Sequence, residues 1–188
     1  MSDIRFDGRV AIVTGAGVGL GRSHALGLAK LGAKVVVNDL GVATDGTGQS
    51  SAQAEAVVKE IEAMGGEAMA HGANVTDAAQ VQDMVDQAIA KWGKVDILVC
   101  NAGILRDKTF VKMELDDFSK VVDVHLMGSV VPTRALGEHF RQNEYGRIVY
   151  TTSASGLYGN FGQSNYGAAK AAMVGLMNVL CQEGAKSN

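Results

Sequence analysis

Val10-Ala11-Ile12-Val13-Thr14-Gly15-Ala16-Gly17-Val18-Gly19-Leu20-Gly21 decides how this chain folds. Four apolar residues read as a short buried strand. The glycines then turn the chain into a helix whose Leu20, Ala25, Leu28 and Leu31 fall near one face. Gly15 permits a sharp turn directly off the strand, Gly19 lets backbone N–H groups approach phosphate oxygens, and Gly21 lets the helix pack against the sheet. A helix N-terminus there favours an anion through its unpaired donors and its dipole. A glycine spacing alone also fits a mere tight turn. The strand before it and the amphipathic helix after it favour a pyrophosphate cradle over Gly15, Gly17, Val18, Gly19, Leu20 and Gly21.

Working outward, strand and helix alternate along the whole chain. Strands are expected at 10–13, 34–37, 68–70, 95–99 and 147–151. Helices are expected at 19–31, up to about 64, at 77–91, at 116–140 and at 163–183, with a polar glycine-rich loop at 41–51. Thr76 or Asp77 could cap the third helix, and Pro132 should kink the long one. Apolar strands separated by crossover helices predict an α/β, Rossmann-type, doubly wound parallel sheet, with residues 1–188 forming one nucleotide-binding domain.

Composition narrows the function classes. Hydrophobic residues make up 47% and charged residues 20%, as in a globular protein rather than a disordered one. A net charge of -3 gives no electrostatic case for nucleic acid or an anionic membrane. Cys100 and Cys181 are too few for a disulfide framework and lack metal-ligand spacing, so buried free thiols are expected. His24, His71 and His139 share no metal spacing with His125. The first residues lack an apolar leader run and no segment reaches membrane-spanning length, so a reducing, soluble compartment is expected.

Two further constellations carry chemistry. Asp39 closes the second strand eighteen residues after Gly21. A carboxylate there can bind both adenosine ribose hydroxyls and would repel a 2′-phosphate, and no Arg or Lys follows closely, which favours NAD over NADP. A solvated loop aspartate is the competing reading. Tyr166 and Lys170 stand one helical turn apart, with Ser153 thirteen residues before the tyrosine. An ammonium favours the phenolate form of a neighbouring phenol, which suits proton exchange with an alcohol oxygen, while Ser153 could hold that oxygen. Taken alone, Tyr166 and Lys170 also fit a surface helix pair. Joined to a nucleotide cradle they indicate a carbonyl–alcohol oxidoreductase.

With these residues in place, the chain resembles the short-chain dehydrogenase/reductase family. The glycine motif, Asn101-Ala102-Gly103, and Ser153 with Tyr166-x-x-x-Lys170 match that family in order and spacing. Ser153-Ala154-Ser155-Gly156-Leu157-Tyr158-Gly159-Asn160-Phe161-Gly162-Gln163 and Asn101 through Asp107 are similar to the (3R)-hydroxyacyl-CoA dehydrogenase branch found in peroxisomal multifunctional enzymes and in bacterial single-domain proteins.

The resemblance implies a sheet order of 3-2-1-4-5-6-7 and a nicotinamide at the carboxyl ends of strands four and five. It implies Asn74 and Val75 beside the adenine, although Asp is usual at the position of Asn74. Asn101, Ala102 and Gly103 would floor the nicotinamide ribose, and Lys170 would bond that ribose. The small-molecule substrate would be an acyl thioester; a 3-oxoacyl-carrier-protein reductase and a steroid-type dehydrogenase share the same trio. His125 stands where the family carries an Asn that relays to the lysine through water; a relay and a satisfied structural histidine are both open. Homodimers or homotetramers would form through the two long helices, in the cytoplasm or, in a eukaryote, the peroxisomal matrix. The family fold continues past residue 188 into two more strands, so the expectation is that this sequence lacks them and belongs to a longer protein.

Overall fold

The computed structural model describes residues 4–41, 45–46 and 52–187. Five strands form one parallel sheet: β1 (Val10–Thr14), β2 (Lys34–Asn38), β3 (Ala68–His71), β4 (Ile97–Cys100) and β5 (Arg147–Tyr150), in the order β3-β2-β1-β4-β5. That order reproduces the first five positions the resemblance implied. β1 is buried along its whole length because helices cover both faces of the sheet. On one face, α1 (Gly19–Lys30) and α2 (Ala52–Ala63) set Ala25, Ala29, Val57 and Ile61 against Ala11, Val13, Val35 and Val37. The other face is covered by α3 (Ala78–Trp92) and by a helix carrying Leu136 and Phe140, which pack on Val10, Ile12, Val36 and Leu98.

Chain order reverses between β1 and β4, so the helices after those strands leave on opposite faces and a crevice opens at the strands' carboxyl ends. Asp77 caps α3, its carboxylate accepting the Ala79 and Gln80 N–H groups at 2.9 and 3.1 Å. Thr76 instead gives its hydroxyl hydrogen to Asn74 Oδ1 at 2.9 Å.

The continuous helix expected at 116–140 needs correction. It is α4 (Leu115–Val122), a single π-helical turn at Asp123–Met127, and α5 (Gly128–Gln142). The departure from α geometry falls around His125, while Pro132 sits buried inside α5. The Ser129 hydroxyl donates to the His125 carbonyl at 2.8 Å, which satisfies an acceptor in the widened ladder. Gly128 follows at once, where a Cβ would lie 2.7 Å from Val75 Cγ2, so α5 starts pressed against the β3–α3 connection.

After β5 the chain forms a five-residue helix that periodicity did not reveal, α6 (Ala154–Tyr158), and then α7 (Ser164–Gly184). Of the loop expected at 41–51, only Gly41, Asp45 and Gly46 lie among the described residues. The thiols divide. Cys100 is buried, whereas Cys181 is exposed, contrary to expectation, because the buried residues of α7 (Asn165, Ala169, Lys170 and Met173) all lie in its first half. No helix among the described residues is long and apolar enough to cross a membrane.

Candidate active site

The glycine turn is enforced by close approach as much as by backbone freedom. Gly15 has φ +61°, and a Cβ on it would stand 2.8 Å from Ala102 Cα. A Cβ on Gly21 would come within 2.0 Å of the Gly15 carbonyl oxygen. Gly19 has open space around it but φ +56°, so there the requirement is conformational.

Thr14 and Asn101 hold this turn to β4. Thr14 Oγ1 accepts the N–H groups of Asn101 and Ala102 at 3.0 and 3.1 Å. Asn101 Nδ2 donates to the carbonyls of Thr14 and Gly15 at 3.1 and 3.0 Å. Val18, at the N-cap of α1, supplies no side-chain bond, and no acidic residue occupies the first turn. Among the described residues the start of α1 thus has no side-chain cap, which is what an anion site requires.

A cleft of about 360 Å³ runs from this turn across the carboxyl ends of the strands. Asp39 lies at one end, only 8% exposed. Its Oδ2 accepts Gly17 N–H and its Oδ1 accepts Gly41 N–H, both at 2.7 Å. The carboxylate is therefore aimed by two backbone donors rather than solvated, and each oxygen keeps a lone pair for a further donor. Asn74, Val75 and Thr76 form one wall; Asn101, Ala102 and Gly103 form another. Asn74 Oδ1 already accepts from the Thr76 N–H and hydroxyl, so the oxygen of that amide is engaged locally.

Lys120, Asp123 and Val124 complete the cleft from α4 and the π turn. Sequence reasoning missed them, since the broken helix register hides which face they share. It also missed the clamp made by Thr14, for which a hydroxyl closing a buried strand was the available signal. An uncapped helix end behind a glycine turn, a carboxylate at one end and a glycine floor at the other fit a dinucleotide.

Tyr166 and Lys170 lie on the first turns of α7, and Ser153 caps α6. None of the three lines the cleft itself. The link is His125. A Cβ on Gly103 would stand 2.2 Å from His125 Cε1, so this ring fills the space behind the cleft wall. On its other side it meets the Tyr166 ring edge-to-face, with centroids 5.1 Å apart. Lys170 Nζ lies 5.5 Å from the centre of the Tyr166 ring and donates to the Thr151 carbonyl. Gly156 packs α6 onto α7 at Lys170, where a Cβ would be 3.0 Å from Lys170 Cβ, and Thr152, the residue before Ser153, donates its hydroxyl to the Lys170 carbonyl at 2.9 Å. Ser153 Oγ accepts the Ser155 N–H at 3.2 Å, which leaves its hydroxyl hydrogen available to another oxygen.

Burial governs the charges here. It pushes Lys170 down to about 8. His125, 4% exposed, falls to about 4 through burial and then through the Lys170 charge, so it is neutral near pH 7. Its Nε2 lies 2.8 Å from the Ile104 carbonyl oxygen and 3.2 Å from the Ile104 backbone nitrogen, so both main-chain groups of one residue meet that ring nitrogen. Its Nδ1 is buried and has no hydrogen-bond partner among the described residues. One nitrogen of His125 is tied to the Ile104 backbone and the other has no partner among the described residues. A phenol, a buried amine and a hydroxyl gathered beside a cleft can exchange a proton with an oxygen held among them. Among the described residues, no cluster of three or more His, Cys, Asp or Glu could hold a metal.

Residues 9–188 match the family model for short chain dehydrogenases. The peroxisomal multifunctional enzyme type 2 of Drosophila melanogaster is 53% identical over 98% of this chain, which spans 30% of that protein. A 3-oxoacyl-[acyl-carrier-protein] reductase of a Synechocystis species is 43% identical over 93% of this chain and 68% of its own length. A crystal structure of a 7α-hydroxysteroid dehydrogenase, complexed with NADH and 7-oxo glycochenodeoxycholic acid, superposes with a TM-score of 0.90 at 32% identity. That match covers 99% of this chain and 69% of the other.

Proposed function

The chain belongs to the short-chain dehydrogenase family, an oxidoreductase that uses a nicotinamide cofactor on CH–OH groups of small molecules, and from that premise we propose that it is NAD-dependent and interconverts (3R)-3-hydroxyacyl-CoA and 3-oxoacyl-CoA. The observation that carries the reading is the His125 ring wedged between Gly103, a wall of the nucleotide cleft, and Tyr166. It joins the dinucleotide site and the proton-transfer group in one assembly.

In this reading the turn and helix start formed by Gly15, Gly17, Val18, Gly19, Leu20 and Gly21 hold the pyrophosphate, Gly17 spending its own N–H on Asp39, and Asp39 binds the adenosine ribose. Asn74 and Val75 flank the adenine. Asn101, Ala102 and Gly103 floor the nicotinamide ribose, with Tyr166 and Lys170 bonding its hydroxyls. The bound nicotinamide supplies the hydride acceptor. Tyr166 takes the alcohol proton, the Lys170 ammonium favours the phenolate, and Ser153 donates its free hydrogen to the reacting oxygen. Neutral His125 keeps Tyr166 at its station from behind. Preference for NAD rests on Asp39, whose buried carboxylate would repel a 2′-phosphate.

The thioester substrate rests on similarity to the Drosophila enzyme. The Synechocystis relative supports a second reading, a 3-oxoacyl-carrier-protein reductase. We extend the proposal to one nucleotide-binding domain over 1–188, assembled as a homodimer or homotetramer along the helical faces where Leu115, Met127 and Met177 are exposed. The compartment proposed is the cytoplasm or, in a eukaryote, the peroxisomal matrix. Rates with (3R)-3-hydroxybutyryl-CoA against its carrier-protein thioester, each with NAD and with NADP, test the reading. NAD with the CoA ester should be fastest; a faster rate with NADP contradicts the role given to Asp39.

A further inference from the structure

Two residues with no role so far, Arg106 and Asn165, connect the nucleotide side of the cleft to the tyrosine. Arg106 Nε donates to the Asp45 carbonyl at 3.0 Å, and its Nη1 pairs with Asp117 Oδ1 of α4 at 2.8 Å. Asp45 precedes Gly46, a cleft-lining residue that stands against Ile104; a Cβ on Gly46 would lie 3.3 Å from Ile104 Cδ1. The guanidinium thus fastens the chain after β2 to α4 across the mouth of the cleft, using two arms of its rigid fork.

The carbonyl of the same Arg106 accepts Asn165 Nδ2 at 3.0 Å. Asn165 Oδ1 then accepts the Tyr166 N–H at 2.7 Å. Asn165 is fully buried at 0% exposure, and its amide spans two backbone groups from different elements. A buried amide spent in this way is costly to strand, since either lost partner leaves a polar group unpaired away from water. It is not the helix cap: Gln163 holds that position in α7. Neighbouring bonds run the same way. Lys108 N–H donates to the Gly162 carbonyl at 2.9 Å, and Gln163 Nε2 donates to Asp107 Oδ2 at 2.8 Å. Three consecutive residues after β4 are therefore stitched to the entry of α7.

We propose that Arg106 and Asn165 are positioning residues that couple the two halves of the site: Arg106 holds the Asp45–Gly46 side of the cleft, and its carbonyl, through Asn165, sets the place of Tyr166. The proposal deepens the function given above and rests on Tyr166 being the proton-transfer group. Nucleotide filling the cleft would meet Gly46, next to Asp45, and only one guanidinium and one amide separate that segment from the tyrosine. By reciprocity, loosening either link weakens the communication in both directions.

The test compares wild type, Arg106→Gln, Asn165→Ala, the double variant and Tyr166→Phe. NADH binding is followed by nucleotide fluorescence, and turnover with (3R)-3-hydroxybutyryl-CoA and NAD is normalised to NADH-binding sites so that unfolded protein does not count. Asn165→Ala should lower normalised kcat about ten- to a hundredfold, as expected of a misplaced reacting group, with NADH affinity within about twofold of wild type. Arg106→Gln should weaken NADH about three- to tenfold and lower normalised kcat as well. The double variant should lose less than the product of the single losses, because both act on one link. Asn165→Ser, which keeps a hydroxyl, is read in the same way where the alanine variant fails to fold.

Wild-type normalised kcat in the Asn165 variants, or losses that multiply independently, overturns the proposal. Turnover at the wild-type rate in Tyr166→Phe overturns the premise and the proposal with it, and that variant alone identifies this case.

Discussion

The nucleotide half and the reacting half of this site are built from different material. Around β1 and β2 the geometry is made by backbone: glycines at 15 and 21 admit neighbours that a Cβ would strike, and Asp39 itself is aimed by two main-chain N–H groups. Around α6 and α7 it is made by side chains, with Asn165, Gln163, His125 and Lys170 each spanning separate elements. A backbone site tolerates almost no added atom. A side-chain site can be retuned one bond at a time, which suits a scaffold that keeps its cofactor and varies its substrate.

The strongest way to break the comparison is at Gly21. Gly21→Ala puts a methyl 2.0 Å from the Gly15 carbonyl oxygen, an overlap with backbone that no rotamer relieves. It should cost about 3 kcal/mol or more in urea unfolding and remove NADH binding; normal binding would show that the turn is softer than its geometry.

His125 gives the next effect, on the side-chain half. Its folded pKa of about 4 lies below the ordinary histidine value of 6.5, so between these values the unfolded chain binds more protons than the native one. Stability should therefore fall as pH drops from about 6.5 to about 4, by about 3 kcal/mol in all, and level off below. His125→Gln should flatten that part of the profile in denaturant titrations at stepped pH. An unchanged slope would put the burial penalty elsewhere.

Thr14→Val tests the latch between the halves. It leaves the Asn101 and Ala102 N–H groups without their acceptor and should cost about 2 kcal/mol, whereas Thr14→Ser should recover most of it. The smallest effect is expected at Asp39→Asn, which keeps one carbonyl acceptor. NAD affinity should drop about tenfold while tolerance of NADP rises, as isothermal titration with each nucleotide would show.

This division also explains what could be read from the sequence. The five strands, the glycine turn and its helix were legible because backbone requirements leave compositional marks: apolar β-branched runs, and glycine where nothing else fits; the strand order came only with the family resemblance. The π turn at Asp123–Met127 was not, since it inserts into a helix without changing its residue types, and Pro132, the visible irregularity, lies beyond it inside α5. Thr14, Arg106 and Asn165 were equally silent, as their roles depend on partners about 60 to 90 residues away that no local period encodes. α6 was too short to show a period at all. Cys181 was misread because its helix is apolar in composition on more than one face, and composition does not say which face is covered.

The most direct test of the central claim, that one phenol serves the oxygen chemistry beside a nucleotide half built mostly from other groups, is Tyr166→Phe assayed for both functions in one preparation. NADH should bind within about tenfold of wild type, as for one lost ribose hydrogen bond, while alcohol oxidation falls by about a thousandfold, within the range of lost general acid–base catalysis. Oxidation continuing at the wild-type rate in the phenylalanine variant would contradict the account.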